Sequence, residues 1–370
     1  MQIDFHSPEN LVLINPRIPS AEIEGLRARL SVVDGLTGHA FLLTSGSSGG
    51  SKWVALAKPA ILAAARAANV TLASDASDTW FHALPDFHVG GLSIYARAQL
   101  SGARVVKYEG DRWDPAAFTD QSRAVGATLA SLVPTQVHDL VMQVFRGPDS
   151  LRAILVGGGA LSEGLYRRAW DQGWRVLPTY GMTETSSQVS TLPLGSDGGT
   201  DPTRLQVLPH LQAKSDDDGR ILVRGESLLT GYVLPDGQFW DPKSADGWFA
   251  TEDLGSVIGG ELILTGRVQD RIKIGGELAN LADLERVFAE GAEGATGYTL
   301  VALPDDRLEF VIGLVVEGNE NSPADAVARY EDRVPPFCRI RRVMNVPKIP
   351  RSDLGKVKRA ELMRLLGELA

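Results

Sequence analysis

Cysteine is almost missing from this chain of 370 residues. The single copy, Cys338, excludes an internal disulfide and a cysteine-built zinc cluster, and it fits a reducing cytoplasm. Histidine is sparse as well. Six copies without paired spacing give no metal site and no Ser-His-Asp set. No apolar run is long enough to span a bilayer, so no stable membrane insertion is expected. The opening stretch MQIDFHSPENLVLINP lacks a basic region followed by an apolar core, so no signal peptide is expected. Basic charge is in deficit: 37 Lys and Arg stand against 46 Asp and Glu, a net charge of −9. That balance argues against a broad nucleic-acid-binding surface. Any anionic ligand must be held by local lysines and backbone dipoles. Internal repeats are absent too.

What the chain does carry begins at Thr44. Residues 44–52 read TSGSSGGSK, directly after the apolar run Phe41-Leu42-Leu43. Glycines let backbone N–H groups converge on an anion, because they reach conformations closed to other residues. Thr44, Ser45, Ser47 and Ser48 add neutral donors around Gly46 and Gly49, and Lys52 adds a mobile positive charge. The pattern reads as a phosphate cradle. It is not the Walker type, which needs Gly-Lys followed by Ser or Thr. A solvated Ser/Gly linker is the bland alternative, and the preceding strand and the terminal lysine argue against it.

Apolar content of 44% supports packed cores, and the length suits two or three domains. Ser20 can cap a short helix, AEIEGLRARL. After the cradle an alanine-rich helix is expected from about Pro59 to Asn69. Strands are expected at Phe81–Leu84, Arg104–Lys107, Thr128–Val133, Leu151–Val156 and Arg175–Leu177, with a helix over Glu163–Gln172. Strands alternating with helices imply a largely parallel α/β sheet. Ligands of such sheets sit outside the carboxyl ends of the strands. The loops Thr44–Lys52, Gly157–Gly159 and Thr179–Gln188 would all lie at that edge. From about Arg204 the texture changes to short β segments, with a hairpin signal at Asp218-Gly219. Beyond Arg267–Asp270 comes a compact α+β unit of about a hundred residues, a common domain size. The expectation is therefore an α/β chain. Residues 1–268 form a large N-terminal α/β domain with parallel sheets plus a β-rich segment, and residues 269–370 form a small C-terminal α+β domain.

Several short segments carry chemistry. PTYGMTETSSQ places the carboxylate of Glu184 among hydroxyls just past a strand. One carboxylate can hold Mg²⁺ when phosphate oxygens supply the other ligands. Tyr180 offers a flat face for a base and Thr183 a donor for a phosphate, although Tyr-Gly turns and Thr-Glu-Thr helix starts are also ordinary structure. Gly157, Gly158 and Gly159 after an apolar strand permit close backbone approach, or simply a turn. WFATEDLG holds adjacent Glu252 and Asp253, and a carboxylate near a bound nucleotide can accept both hydroxyls of a ribose; a solvated acidic turn is the rival reading. His88 lies in PDFHVGG. Lys356, in PRSDLGKVKR, could reach a phosphate as a point charge.

Taken in order, TSGSSGGSK, PDFHVGG, VGGG, YGMTETSS, GWFATEDLG, GRVQDRIKIGGE and PRSDLGK resemble the adenylate-forming superfamily: acyl-CoA synthetases, luciferases and peptide-synthetase adenylation domains. The resemblance runs from about residue 40 to the end. Within the superfamily PDFHVGGLS, SLVPTQVH, ILVGGG and YGMTETSSQ are similar to the o-succinylbenzoate-CoA ligases of menaquinone biosynthesis, and other aryl- and acyl-CoA ligases share much of them. The resemblance implies ATP, Mg²⁺ and coenzyme A acting on a small-molecule carboxylic acid. It implies that Thr44, Ser45, Ser47, Ser48 and Lys52 hold the β and γ phosphates, with Gly46 and Gly49 between them. Thr183 would meet the α-phosphate and Glu184 the Mg²⁺. Gly157 to Gly159 and Tyr180 would flank adenine, and Asp253 and Arg267 the ribose. Lys356 would bridge the substrate carboxylate and the α-phosphate. His88 would sit at the acyl pocket and thiol channel, with Ser186, Ser187 and Gln188 in the pocket. Gln269 would be the hinge of a mobile C-terminal domain, and Gly275, Gly276 and Glu277 would approach the thiol channel after its rotation.

The chain also departs from the family. Only forty-three residues precede the cradle, where family members usually carry a whole subdomain. A shortened N-terminal layer is expected, with an apolar face covered in a homodimer. Ser51 replaces the usual proline before Lys52, Glu252 the usual glycine before Asp253, and Ala282 a common proline. Glu252 would put extra negative charge near the ribose. Two other readings stay open: another aryl- or acyl-CoA ligase, and a carrier-directed or non-catalytic adenylation module.

Overall fold

The computed structural model describes residues 3–18, 20–30, 35–45, 51–234, 236–292, 297–318, 324–352, 355 and 357–369. Alternating side chains shape its first sheet. After β1 (Leu11–Leu13) and α1 (Ser20–Leu30), β2 (His39–Ser45) pairs antiparallel with β3 (Ser51–Ala57). Ala40, Leu42, Val54 and Leu56 enter one core, while Phe41, Trp53 and Ala55 enter another with Leu26 of α1. α2 (Lys58–Leu72) follows, with Pro59 in its first turn, where a missing N–H leaves no helical bond unmade.

β4 (Thr79–His82), α3 (Val89–Ser101), β5 (Arg104–Lys107), α4 (Pro115–Ala124), β6 (Leu129–Leu132), α5 (Pro134–Met142), β7 (Ala153–Val156), α6 (Glu163–Asp171) and β8 (Val176–Met182) then alternate. The strands run parallel in the order β5-β4-β6-β7-β8. β4, β6 and β7 are buried at every position, the pattern of a sheet covered on both faces. β9 (Ser187–Thr191) turns back antiparallel on β8. β10 (Leu205–Val207), β11 (Leu211–Ser215), β12 (Arg220–Gly225), β13 (Gly231–Val233), β14 (Phe239–Trp240), β15 (Phe249–Ile258) and β16 (Glu261–Arg267) complete this part. The large sheet has the order β11-β12-β15-β16-β10-β9-β8-β7-β6-β4-β5, and β13 and β14 leave it to extend the first sheet as β1-β2-β3-β13-β14.

The α/β class expected from the sequence is what forms, with three differences in detail. The sheet is parallel only from β5 to β8, because the chain returns by a tight β8–β9 hairpin rather than through a helix. The segment Pro178–Met182 is strand, not loop. At Gly181 an added Cβ would lie 1.8 Å from Ser187 O, so only glycine lets β9 approach so closely. The cradle springs from a different sheet. Its flanks Thr44 and Lys52 are cross-strand partners in the separate β2–β3 hairpin. Trp53 to Leu56 are all buried and enter the two cores alternately, the period of a strand.

Past Arg267 a short 3₁₀ turn (Val268–Asp270) leads into β17 (Arg271–Ile274), β18 (Glu277–Asn280), α7 (Leu281–Gly291), β19 (Tyr298–Asp305), β20 (Glu309–Glu317), α8 (Ala324–Glu331), β21 (Ile340–Val346) and α9 (Arg359–Leu369). These strands form a third sheet, β18-β17-β20-β19, with β21 parallel to β20. Ile274, Phe288, Leu314 and Tyr330 build one core of this part, and Val301, Val315 and Leu362 another; neither draws on a residue before Ile272. Among the described residues no helix is long and apolar enough to cross a membrane.

One buried ion pair locks the edge of the large sheet remote from the loops. Asp78, 4% exposed, accepts from Arg152 Nη2 at 2.6 Å and Nε at 3.0 Å, and from Thr128 Oγ1 at 2.6 Å. Arg152 Nη1 also donates to Leu72 O at 2.6 Å, closing the end of α2. Burial pushes the Asp78 carboxyl up, but Arg152, Thr128 and the Asp75 amide outweigh it and hold it below the usual carboxylate range. Its stabilising effect is therefore complete above the unfolded-state value and fades as pH falls through the lower folded value. We predict that Arg152→Met costs about 3 kcal/mol at neutral pH by leaving a buried carboxylate unpaired. Urea unfolding from pH 7 to pH 3 measures this, and the variant should lose less further stability on acidification than the parent.

Candidate active site

Two sheets supply the polar residues, and one short segment joins them. Lys52 stands on β3, on the same face as Val54, whose cross-strand partner is Tyr232 of β13. That register puts the Lys52 ammonium 3.5 Å from the centre of the Tyr232 ring, a cation–π contact. Trp240 of β14 stacks on Tyr232 with ring centres 5.5 Å apart and planes at 26°. The Tyr232 hydroxyl donates to Glu184 Oε1 at 2.9 Å. Burial pushes the Lys52 ammonium below its usual value, and the negative charge of Glu184 and Glu252 partly offsets this. Burial and the neighbouring Glu184 push the Tyr232 phenol up, so it stays a donor. Lys52, Tyr232 and Glu184 therefore form one cluster across the sheet junction.

Glu184 lies in a 3₁₀ turn, Thr183–Thr185, between β8 and β9. Its backbone carbonyl accepts from Leu229 N at 2.8 Å, and Ser186 Oγ donates to Ser227 O at 2.8 Å. Ser186 and Ser187 hold φ of 56° and 123°, left-handed values that cost non-glycine residues energy and concentrate at functional sites. The Ser186 hydroxyl is thus spent on the fold. Ser187 and Gln188 instead meet Arg97, whose Nη2 donates to Gln188 Oε1 at 2.9 Å and Ser187 Oγ at 3.2 Å.

Asp253 completes the third group. Tyr180 OH donates to its Oδ2 at 2.8 Å, and Arg267 Nε pairs with its Oδ1 at 3.0 Å. β15 and β16 put Asp253 and Arg267 directly opposite each other. Tyr180 is 7% exposed, and burial together with Asp253 pushes its phenol well above the usual value. Glu252, the neighbour of Asp253, pairs with Arg220 at 2.8 Å, and its charge also acts on Lys52. Gly157, Gly158 and Gly159 follow β7 beside Thr179 and Pro134. Gly158 has φ +80°, so the turn needs glycine there.

His88 caps α3, packed on Phe87 at 4.6 Å between ring centres. Its loop is fixed by Asp86, which accepts from His82 Nε2 at 2.8 Å and Tyr95 OH at 3.0 Å and pairs with Lys107. Gln269 lies in the 3₁₀ turn at the start of the third sheet. Gly275 and Gly276 turn β17 into β18 at φ +60° and +89°, with Leu308 as the side chain nearest Gly275, so that turn is not brought to the Lys52–Glu184 cluster. Gly46, Ser47, Ser48, Gly49 and Lys356 lie outside the described residues, as does the side chain of Ser45.

Sequence reasoning did not find Arg97 or Tyr232. Arg97 is 2% exposed, and among the described residues no carboxylate pairs with it. Burial pushes its guanidinium down to about 9, so it remains charged at neutral pH. Its Nε is buried without a partner, and its carbon lies 5.4 Å over the Trp80 ring. A lone arginine in the apolar helix stretch LSIYARAQL was the available signal. Tyr232 left only a Gly-Tyr dipeptide inside a short strand.

The donor set suits a hard cation held by one carboxylate: among the described residues there is no cluster of three or more His, Cys, Asp or Glu side chains. Mg²⁺ bound with phosphate oxygens fits such a site, and a protein-caged metal does not.

Comparison with known proteins places this geometry. The profile described as AMP-binding enzyme matches residues 37–233. A 2-succinylbenzoate–CoA ligase of Bacillus cereus is 30% identical over 346 residues, covering 89% of this chain and 70% of that protein. Its counterpart in Listeria monocytogenes is 28% identical over 332 residues, covering 87% and 68%. Among solved structures, o-succinylbenzoate CoA synthetase (MenE) from Bacillus subtilis in complex with the acyl-adenylate intermediate OSB-AMP superposes with TM-score 0.74 at 25% identity, over 87% of this chain and 68% of that one. A single-substitution variant of E. coli MenE with bound OSB-AMS superposes with TM-score 0.78 at 26% identity, over 97% and 88%.

If Tyr232 holds Glu184 and Lys52 together, its two contacts separate by substitution. Tyr232→Phe keeps the ring under Lys52 and loses the bond to Glu184; we expect about a fivefold rise in the ATP KM, the worth of one such bond. Tyr232→Leu loses both contacts and should cost several times more. Steady-state kinetics with ATP as the varied substrate decides, and equal effects of the two variants would remove the ring from the argument.

Proposed function

Because the chain belongs to the AMP-binding enzyme family, we propose that it is an ATP-dependent acid–CoA ligase of the o-succinylbenzoate type, acting in menaquinone biosynthesis. The observation that carries the choice of acid is Arg97. A buried guanidinium without a carboxylate partner is costly, and a second carboxylate on the substrate would relieve that cost. Arg97 sits beside Ser187 and Gln188, the residues expected at the acyl pocket, and one helix from His88.

In the first half-reaction the reacting carboxylate oxygen attacks the α-phosphorus of ATP. The bond to the bridging oxygen breaks and pyrophosphate leaves with its electron pair. In the second, the thiol sulfur of coenzyme A attacks the acyl carbon, loses its proton, and AMP leaves. Neither step needs a protein nucleophile, so catalysis is positioning and charge neutralisation. Lys52 and the 44–52 segment bind the departing phosphates. Thr183 meets the α-phosphate. Asp253, held by Tyr180 and Arg267, accepts the ribose hydroxyls, and the Gly157–Gly159 turn with the Tyr180 ring borders the base. Glu184 would hold Mg²⁺, which supplies charge neutralisation on the phosphates. Lys356 bridges carboxylate and α-phosphate.

One lysine cannot stay in place while the thiol enters. The reading therefore includes a domain of residues 269–370 that rotates about Gln269 against residues 1–268, bringing Gly275-Gly276-Glu277 to the thiol. The short 3₁₀ turn at Val268–Asp270 and the separate cores beyond Ile272 support that division. A reducing cytoplasm suits the single buried thiol.

Pyrophosphate release and thioester formation across a panel of acids test the reading. Release with an aryl dicarboxylic acid, followed by thioester with coenzyme A, is expected. Release without thioester would favour a carrier-directed module, and none with any acid a binding module. Arg97→Met should raise the KM of the dicarboxylic acid by about 100-fold, the scale of a charged hydrogen bond, while a monocarboxylic analogue changes little. Equal loss on both would remove Arg97 from the acid site. Lys356→Ala should nearly abolish acyl-adenylate formation and spare thioester formation from supplied acyl-adenylate.

A further inference from the structure

Next to Lys356 in the chain, Gly355 meets a helix of the large sheet at a sterically exacting point. Arg351 and Val357 form an antiparallel bridge, Gly355 N donates to Ser352 O at 2.8 Å, and Arg351 Nη1 donates to Gly355 O at 3.1 Å. Gly355 has φ +75°. A Cβ there would lie 2.5 Å from Thr135 Cγ2, 2.8 Å from Thr135 Oγ1 and 3.2 Å from Thr135 Cβ. Thr135 belongs to the first turn of α5, between Pro134 and Gln136. The same turn borders a hollow of about 120 Å³ lined by Leu84, Pro85, Trp113 and Thr135, at the carboxyl ends of β4 and β6.

Threonine is β-branched, so two of the three staggered positions on its Cβ always carry a heavy atom. Both atoms now face Gly355. Any rotation leaves at least one of the two facing positions filled. The contact therefore admits glycine and rejects every other residue, unless the turn withdraws from α5.

We propose that the Gly355–Thr135 contact is the seat on which the 351–357 turn docks, and that it sets how much of the protein has Lys356 delivered for adenylation. This rests on the two-half-reaction reading above. Gly355 and Thr135 are positioning residues, acting through Lys356. The same contact explains why the residue before Lys356 must be small for a reason beyond its own backbone. Strain from φ +75° burdens a larger residue wherever the turn goes. The clash with Thr135 burdens it only when docked.

The test is a rescue. Gly355→Ala should slow acyl-adenylate formation by about tenfold or more, within what overpacking a fitted contact costs. Thioester formation from supplied acyl-adenylate should stay within about twofold, since the undocked turn meets no clash. Thr135→Ser leaves a single γ atom that can rotate away, so Gly355→Ala with Thr135→Ser should regain most of the lost rate. Strictly additive effects, or equal loss in both half-reactions, overturn the proposal. A second readout stands apart from the reaction. Amide hydrogen exchange over residues 134–139, in the full chain without substrates, should be faster in Gly355→Ala and return toward the parent when Thr135→Ser is added. Unchanged exchange overturns the docking itself. Faster exchange in Gly355→Ala with its reversal by Thr135→Ser, but no acyl-adenylate from the parent protein, would instead leave the seat standing and remove the ligase reading.

Discussion

Segment Ser227–Tyr232 is hydrogen-bonded to both sheets, and the site exists only because it is. On one side Leu229 N donates to Glu184 O and Ser227 O accepts from Ser186 Oγ. On the other, Thr230 N donates to Ala55 O, and Tyr232 pairs with Val54 in the β3 ladder. Thr230 Oγ1 meets His39 Nε2 at 2.9 Å, and Lys243 Nζ donates to Leu229 O at 2.8 Å. A segment tied at six places cannot slide by one residue without turning Tyr232 to the opposite face. Lys52 would then lose its ring and Glu184 its donor together. The distance between a cation on one sheet and a carboxylate on the other is thus fixed by backbone ladders rather than by the two side chains. That arrangement suits a site whose work is positioning charge.

The parallel strands were legible in the sequence because full burial leaves a signature: β4, β6 and β7 are short apolar runs between polar loops. α1 was legible through its candidate cap and α2 through its alanine content, and α6 formed where a helix was expected. β3 and β13 were not, since each is three to seven residues long and follows segments that read as loop. Partner choice was invisible for the same strands. Nothing local distinguishes a strand that joins the large sheet from one that leaves it, so the separate sheet that carries the cradle's flanks was not expected. Among the site residues, those inside unusual short patterns were legible: Lys52, Glu184, Asp253 and Gly157–Gly159. Arg97 and Tyr232 act through burial and cross-strand register, which are tertiary properties. Glu252 pairs with Arg220, which offsets part of its charge, and the rest still acts on Lys52.

Two arginines at the two ends of one layer separate structure from function. Arg152 and Arg97 both give up water to sit against the parallel sheet. Arg152 receives the Asp78 carboxylate and two helix-end carbonyls, so its charge is balanced and it stabilises the fold. Arg97 receives two neutral side-chain oxygens and the face of Trp80. Neutral acceptors return only part of the hydration lost, and an unpaired buried charge costs several kcal/mol by the usual ~3–5 kcal/mol scale for broken buried pairs. A fold tolerates that cost where something recovers it. His88 caps helix α3 and β9 begins at Ser187, so the unbalanced charge stands between the two segments expected to border the acyl pocket. The strained φ values at Ser186 and Ser187 lie in the same place. Uncompensated charge and backbone strain have separate causes, and their meeting beside Ser187 argues that an anionic ligand group offsets both. The same reasoning assigns no such role to Arg152, whose partners already do so.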